Sequence, residues 1–263
     1  APNSEKERLY SSMYQIDVNC DMGESFGRFW VGNDKALMPF ITSANIACGF
    51  HGGDPLHIEK TIRLAKTHGV RIGAHPSYPD LQGFGRRKMQ VPEYELRAIV
   101  KYQIAALKGL CESEGIALKY VKPHGALYHA SMTNFKTTMA LLGAIEEIDP
   151  KLEVMGLSGS LVESQAKEFG IGFIAEGFAD RRYESSGKLQ SRKVPGALIT
   201  DPVEAVEQVL QMVLAKQVPS VEGEQIDISV DSICIHGDNP AALKIMEHLS
   251  DAMGRNQILK MVH

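Results

Sequence analysis

A lysine and two histidines stand together in "VKPHGALYH", residues 121–129, where an apolar strand pattern gives way to a loop. Ionisable groups close other apolar runs in the same way. Asp21 and Glu24 follow "QIDVNC", His51 follows "SANIACGF" and His75 ends "VRIGAH"; Glu176, Asp180 and Arg181 fall in "GFIAEGFADR", and His236 and Asp238 in "SICIHGD". Of the nine histidines, His51, His75, His124 and His236 sit at or just past such ends, which points to one convergent site. Carboxylates, imidazoles and a lysine in a shared pocket suit hydrolysis of a carbonyl derivative. A carboxylate or histidine takes a proton from water, and Lys122 or an imidazolium holds the developing oxyanion or a phosphate group. Burial beside His124 would depress the pKa of Lys122, and the sequence leaves its charge state open. Asp21 with His51 and His75 also forms an oxygen-and-nitrogen set suited to a divalent metal with one position open. Asp54, followed by Pro55, has the signature of a helix N-cap, and a cap at the rim of a site can also touch substrate.

Such residues need elements to aim them. Seven short apolar runs, "QIDVNCD", "SANIACGF", "VRIGAHPS", "YVKPHGAL", "LEVMGLS", "GFIAEGFAD" and "SICIHGD", alternate with longer segments of helical period. This is the pattern of βα units on a parallel sheet. Helices are expected in "PLHIEKTIRLAKTHG", "VPEYELRAIVKYQIAALKGLCESEG", "TNFKTTMALLGAIEEIDP", "TDPVEAVEQVLQMVLAK" and "NPAALKIMEHLSDAMG", the last closing on Gly254. Residues two apart on a strand share a face. Ile16, Val18 and Cys20 therefore oppose Asp17, Asn19 and Asp21, and Val121 and Pro123 oppose Tyr120, Lys122 and His124. Buried charge without partners costs several kcal/mol, so the polar faces must meet one another. A sheet curled into a barrel does this, with its chemistry at the C-terminal rim. The expected organisation is an N-terminal arm or expression remnant over residues 1–14, then a single α/β domain, a (β/α) barrel, over residues 15–263. His57, His68 and His248 fall in helical segments and His129 at a helix start, where surface or packing roles suffice.

The bulk numbers narrow the class. With 44% hydrophobic and 23% charged residues, the chain can bury a large core. A formal net charge of −4 gives no basic excess to draw a phosphate backbone, so no nucleic-acid partner is expected. No apolar run approaches the roughly 20 residues that span a bilayer, and the first residues lack a signal-peptide centre. No membrane association and a cytoplasmic location are the expectations. Cys20, Cys48, Cys111 and Cys234 lack metal-site spacing and read as reduced core thiols. Neither a G-x-x-x-x-G-K-[ST] loop nor a G-x-G-x-x-G turn occurs, and "LSGSL" lacks the first glycine of a nucleophile elbow, so a helix start is its simpler role.

Taken together, "NCDMGE", "SANIACGFHGGDP", "GAHPSYPD" with "GFGRR", "VKPHGALY", "FADRRY", "SGKL" with "PGALI", and "CIHGD" resemble the LamB/YcsF family of lactam-utilisation proteins, in order and over nearly the whole chain from Gln15 to Asp238. The resemblance implies an irregular seven-stranded (β/α) barrel of the polysaccharide-deacetylase type. It also implies the role of the A subunit of a 5-oxoprolinase: ATP-dependent opening of 5-oxo-L-proline to L-glutamate with partner subunits B and C. ATP would be used by the complex, since this chain has no familiar nucleotide loop. In that scheme Lys122 and Arg181 hold the phosphate or oxyanion and Asp21 or His75 activates water. His124, His236 and Asp238 position the substrate or shuttle protons, while Glu24, His51, Asp54, Glu176 and Asp180 bind the substrate. Two alternatives stay open. One is a stand-alone metal-dependent amidase or deacetylase, which a chelator would inactivate. The other is a non-catalytic carrier of a small carboxylate.

Overall fold

Both faces of the first strand are buried, and this decides the architecture. In β1 (Gln15–Met22) the outward residues Ile16, Val18, Cys20 and Met22 are buried, and so are the inward Asp17, Asn19 and Asp21. A strand with one apolar and one polar face can bury both only if the polar faces satisfy one another. The computed structural model, which describes residues 14–262, shows how. β1 pairs in parallel with β2 (Ser43–Ala47) on one side and with β9 (Ser232–Cys234) on the other. Between them run β3 (Arg71–His75), β4 (Leu118–Val121), β5 (Glu153–Leu157) and β6 (Phe173–Phe178), each parallel to the next, and β6 pairs with β9. The result is a closed barrel of seven parallel strands, as expected. A short β10 (Leu259–Lys260) pairs with Gln15 and Ile16. Apart from Tyr14, the arm expected over residues 1–14 lies outside the described residues.

Helices cover the apolar outer face. α1 (Asp34–Leu37) is followed by α2 (Pro55–His68), in which Asp54 accepts from the main-chain N–H groups of Leu56 and His57 while Gly69, at φ +66°, ends the helix. α3 (Glu93–Ser113) buries Leu96, Val100, Ile104, Leu107 and Cys111 at the three-to-four spacing of one helical stripe. α4 (Gly125–Ser131), α5 (Phe135–Ile148), α6 (Leu161–Phe169), α7 (Pro202–Leu210) and α8 (Ala242–Arg255) complete the wall. α7 is capped by Asp201 as α2 is by Asp54. All four cysteines are free thiols, and three of them are buried. Among the described residues, no helix is long and apolar enough to cross a membrane.

The local readings differ from the structure in several places, and α1, α4 and β10 were not among the expected elements. α8 continues through Gly254 to Arg255, so that glycine does not close it. A two-stranded antiparallel hairpin, β7 (Gln217–Pro219) with β8 (Gln225–Asp227), was not expected; its strands carry no apolar run. β4 ends at Val121, before Lys122. The chain nevertheless stays alongside β3, because the N–H groups of Lys122 and His124 donate to the carbonyls of Ala74 and Pro76 across the intervening Pro123, which has no N–H.

The floor of the barrel is set by one large ring. Pairing of β3 with β4 skips Lys119, so that Ile72 faces Leu118 and Gly73 faces Tyr120. Lys119 turns outward and the fully buried Tyr120 enters the interior beside Met155 and Ile174. A Cβ on Gly73 would lie 2.2 Å from the Tyr120 ring, so no larger residue fits. Gly73→Ala should therefore lower unfolding free energy by about 1–3 kcal/mol or more, read by urea denaturation, and Gly73→Ala with Tyr120→Phe should not restore it because the ring remains.

Candidate active site

The strand ends deliver their ionisable groups to the interior. Lys122 lies at its centre, 2% exposed. Its Nζ is 2.5 Å from Glu176 Oε1, 3.4 Å from Asp21 Oδ1, 3.1 Å from Asn19 Oδ1 and 3.3 Å from Cys234 Sγ. Burial disfavours the ammonium, but its anionic neighbours, Asp21 foremost, outweigh burial and push the Lys122 pKa well above the usual lysine range. The depression expected from burial alone is thus reversed, and Lys122 is a fixed positive charge. Asp21 is the counterpart. Burial disfavours its charge, yet His75 and Lys122 hold it well below the usual carboxylate range, and Asn45 donates to it at 2.9 Å. Glu176 also accepts from the Tyr128 hydroxyl at 2.9 Å.

Three histidines pack beside this centre. His51 and His124 stack face to face with ring centroids 3.6 Å apart, and His75 meets both edge-on. His75 Nδ1 lies 2.6 Å from the Lys122 carbonyl oxygen, and its Nε2 is 3.0 Å from His124 Nδ1 and 3.3 Å from Asp21. His124 Nε2 is 2.8 Å from the Phe84 carbonyl. His51 Nε2 is 2.8 Å from Glu24 Oε1, which is also 3.6 Å from His124 Nδ1. Burial pushes His51 and His124 well below the usual histidine range, reinforced by the other imidazoles, and burial with the charge of Asp21 raises Glu24 well above the usual carboxylate range. The loop after β3 roofs the cluster. A Cβ on Gly85 would come within 2.8 Å of both His51 and His124, and Phe84 takes the left-handed conformation, φ +52°, which turns its carbonyl to His124. Ligand atoms of Glu24, His51, His75 and His124 all lie within 4.8 Å of one another, a buried group able to hold a metal ion. Of the expected metal set, His51 and His75 belong to this group, which adds Glu24 and His124, while Asp21 lies outside it, 3.3 Å from His75 Nε2.

A second relay faces the open end. Asp180, fully buried, receives His236 Nδ1 at 2.8 Å, the His236 main-chain N–H at 3.1 Å and Asn239 Nδ2 at 3.0 Å. Burial opposes its charge, but His236 and these hydrogen bonds hold the carboxyl below its usual range. His236 therefore carries its proton on Nδ1, while Nε2 makes no hydrogen bond among the described residues. At the rim Asp238 binds Arg86 at 2.5 Å and lies 3.5 Å from Arg192, joining three loops. Arg181 is 2% exposed; its Nη2 donates to the Gln190 carbonyl at 2.6 Å, and its Nε has no hydrogen-bond partner. Burial and the nearby Arg192 push its pKa down to about 10, so it stays charged near neutrality.

Of the candidate residues, Asp21, Glu24, His51, His75, Lys122, His124 and Glu176 meet in one buried network, with Asp180, His236, Arg181 and Asp238 at its edge. Asp54 stands apart: its oxygens cap α2 and bind the Gly27 N–H at 2.8 Å and His57 Nδ1 at 2.6 Å. Sequence reasoning passed over Tyr128, Asn239, Arg86 and Arg192. Arg86 lies in "GFGRR" and Tyr128 in "VKPHGALY", so two of the four sat inside motifs already singled out.

Removing the central ammonium takes from buried Asp21 and Glu176 the cation they share. Lys122→Met should cost about 3–5 kcal/mol of stability, and adding Glu176→Gln should recover part of it, both read by urea unfolding. Asp180 should set part of the acid limb. Because its folded pKa is lowered, its contribution is complete above the unfolded value near ~3.9 and lost as pH falls through the folded value. Asp180→Asn should flatten the stability profile in that window.

The comparisons with known proteins fall on this same frame. The LamB/YcsF family model matches residues 16–261. The chain is 45% identical over 246 residues to the A subunit of 5-oxoprolinase from Clostridium beijerinckii, covering 94% of this chain and 96% of that one. It is 47% identical over 235 residues to the protein of the same name from Pyrococcus furiosus, covering 89% and 92%. The crystal structure of a lactam utilization protein from Thermus thermophilus superposes with a TM-score of 0.89 at 41% identity, over 95% of this chain and all of that one. A match that runs from the first strand to the last, on a shared backbone, makes this chain a member of the LamB/YcsF family.

Proposed function

We propose that this chain is the hydrolytic subunit of an ATP-dependent 5-oxoprolinase, opening 5-oxo-L-proline to L-glutamate together with subunits B and C. The observation that carries the reading is near-full-length similarity to relatives named as the A subunit of 5-oxoprolinase, on a barrel whose strand ends converge on carboxylates, imidazoles and cations. A five-membered lactam is a stable amide, and ATP bound by the complex supplies a phosphoryl group that makes its carbonyl carbon a better electrophile. Water then adds to that carbon, the ring C–N bond breaks and the nitrogen takes a proton. A second water releases phosphate from the resulting acyl phosphate.

This chain's residues supply the proton traffic and the charge. His236, held by Asp180, offers Nε2 as the group that takes a proton from water and returns one to the ring nitrogen. Arg181, with Arg86 and Arg192 nearby, is the cation set suited to a phosphoryl group or oxyanion. Lys122, clasped by Glu176 and Asp21, fixes the field beneath the reacting carbon. The amino acid carboxylate of the substrate would exchange with Asp238 on the rim arginines.

The test is glutamate release from 5-oxoproline and ATP by this chain alone, by subunits B and C alone, and by the complete mixture. Activity is expected only in the complete mixture. His236→Gln should lower it about 10²–10⁴-fold with the complex still forming on gel filtration. An intact three-part complex that releases no glutamate would refute the reading.

A further inference from the structure

We infer that Glu24, His51, His75 and His124 form a binding site for one divalent transition-metal ion of the zinc type, and this holds whether or not the lactam reading survives. The inference starts from two main-chain carbonyls. The Lys122 carbonyl can only accept, so His75 Nδ1, 2.6 Å away, carries a hydrogen. The Phe84 carbonyl can only accept, so His124 Nε2, 2.8 Å away, does too. In neutral rings the remaining nitrogens, His75 Nε2 and His124 Nδ1, are then both lone pairs, and they face each other at 3.0 Å. Two lone pairs at that distance repel unless something positive lies between or beside them.

A shared proton would satisfy these two nitrogens, and a second proton would join His51 Nε2 to Glu24 Oε1, but one cation would serve all four ligand atoms at once. Glu24 Oε1 is 3.6 Å from His124 Nδ1, and His51 Nε2 is 2.8 Å from that oxygen. Three imidazole nitrogens and one carboxylate oxygen within 4.8 Å of one another make the N₃O set that suits zinc and neighbouring late first-row ions. Ligand–metal bonds of about 2.0–2.2 Å place tetrahedral ligands roughly 3.3–3.5 Å apart, so closure requires only small side-chain movements. The rear N–H of a metal-binding histidine ordinarily donates to a carbonyl or carboxylate, which fixes its tautomer; His75 and His124 have this already. His51 differs. Its Nδ1 is buried without a hydrogen-bond partner, so moving its proton there breaks no existing bond on that side and frees Nε2 for the ion. Charge also balances: Glu24 is a ligand and Asp21 stands 3.3 Å from His75 Nε2, giving two carboxylates for a divalent cation.

The experiment uses the untagged full chain, stripped with a chelator and titrated with Zn²⁺ against a chromophoric competitor. Bound metal is counted by mass spectrometry after gel filtration. One ion per chain is expected, and Co²⁺ in its place should give the intense visible absorption of a four- or five-coordinate site. His75→Gln and His124→Gln should each weaken Zn²⁺ about 100-fold or more, while His57→Gln should not. Since either variant could fail to fold, ¹⁵N-histidine spectra of the unaltered chain provide the second measurement. Zn²⁺ should shift His75 Nε2 and His124 Nδ1, with the rear nitrogens staying protonated. Substoichiometric binding, binding that survives both substitutions, or spectra showing a shared proton that Zn²⁺ does not displace would each overturn the inference.

Discussion

The structure depends on one buried ammonium. Lys122 places a full positive charge at the centre of the barrel, at a cost of several kcal/mol unless it is paired. Its partners come from strands that do not neighbour β4: Asp21 from β1 and Glu176 from β6. A pair that crosses the barrel fixes its cross-section in a way that ladder hydrogen bonds between adjacent strands cannot. Asn19 and Cys234 fill the remaining contacts of the ammonium, and Asn45 completes those of Asp21. The outer wall of isoleucines, leucines and valines drives folding; the polar interior selects the closed form.

Lys122 also acts through its backbone. While its side chain holds Asp21, its carbonyl orients His75, which itself touches Asp21. The charged centre and the histidine cluster are therefore coupled twice, through the Lys122 carbonyl and through Asp21. The roof of the cluster is less comfortable. Phe84 keeps a left-handed backbone, an arrangement that costs a non-glycine residue about 1–3 kcal/mol, and the carbonyl it presents to His124 is what that strain sets in place.

Much of this was legible in the sequence because strand periodicity is local. Alternation in "QIDVNCD" and "YVKPHGAL" was enough to aim Asp17, Asn19, Asp21, Tyr120, Lys122 and His124 inward, and burial on both faces then required closure. What was not legible depends on partners far away in the chain. The charge of Lys122 is decided by Asp21 and Glu176, so a rule based on burial alone gave the opposite direction. Glu24 lies beyond β1 and meets His51 and His124 only because the loops after β1, β2 and β3 fold over one another. Asp54, whose pattern is that of a helix cap first and a rim residue second, caps α2. The grouping of Arg86, Arg192 and Asp238 unites three separate loops, and no window of sequence contains it.

The strand that closes the barrel is among its shortest, only Ser232–Cys234, and it pairs with both β1 and β6. His236 and Asp238 follow it directly, while their partners Asp180 and Arg86 are carried by other segments. The seam therefore both closes the barrel and carries two residues of the candidate site. A local opening that frees three residues of ladder would part the His236 relay from Asp21 and Lys122 while β1 to β6 kept their pairing. Occupancy of the site and integrity of the seam become thermodynamically linked, so a ligand that bridges the two edges would slow amide exchange along β9 far more than along the strands opposite.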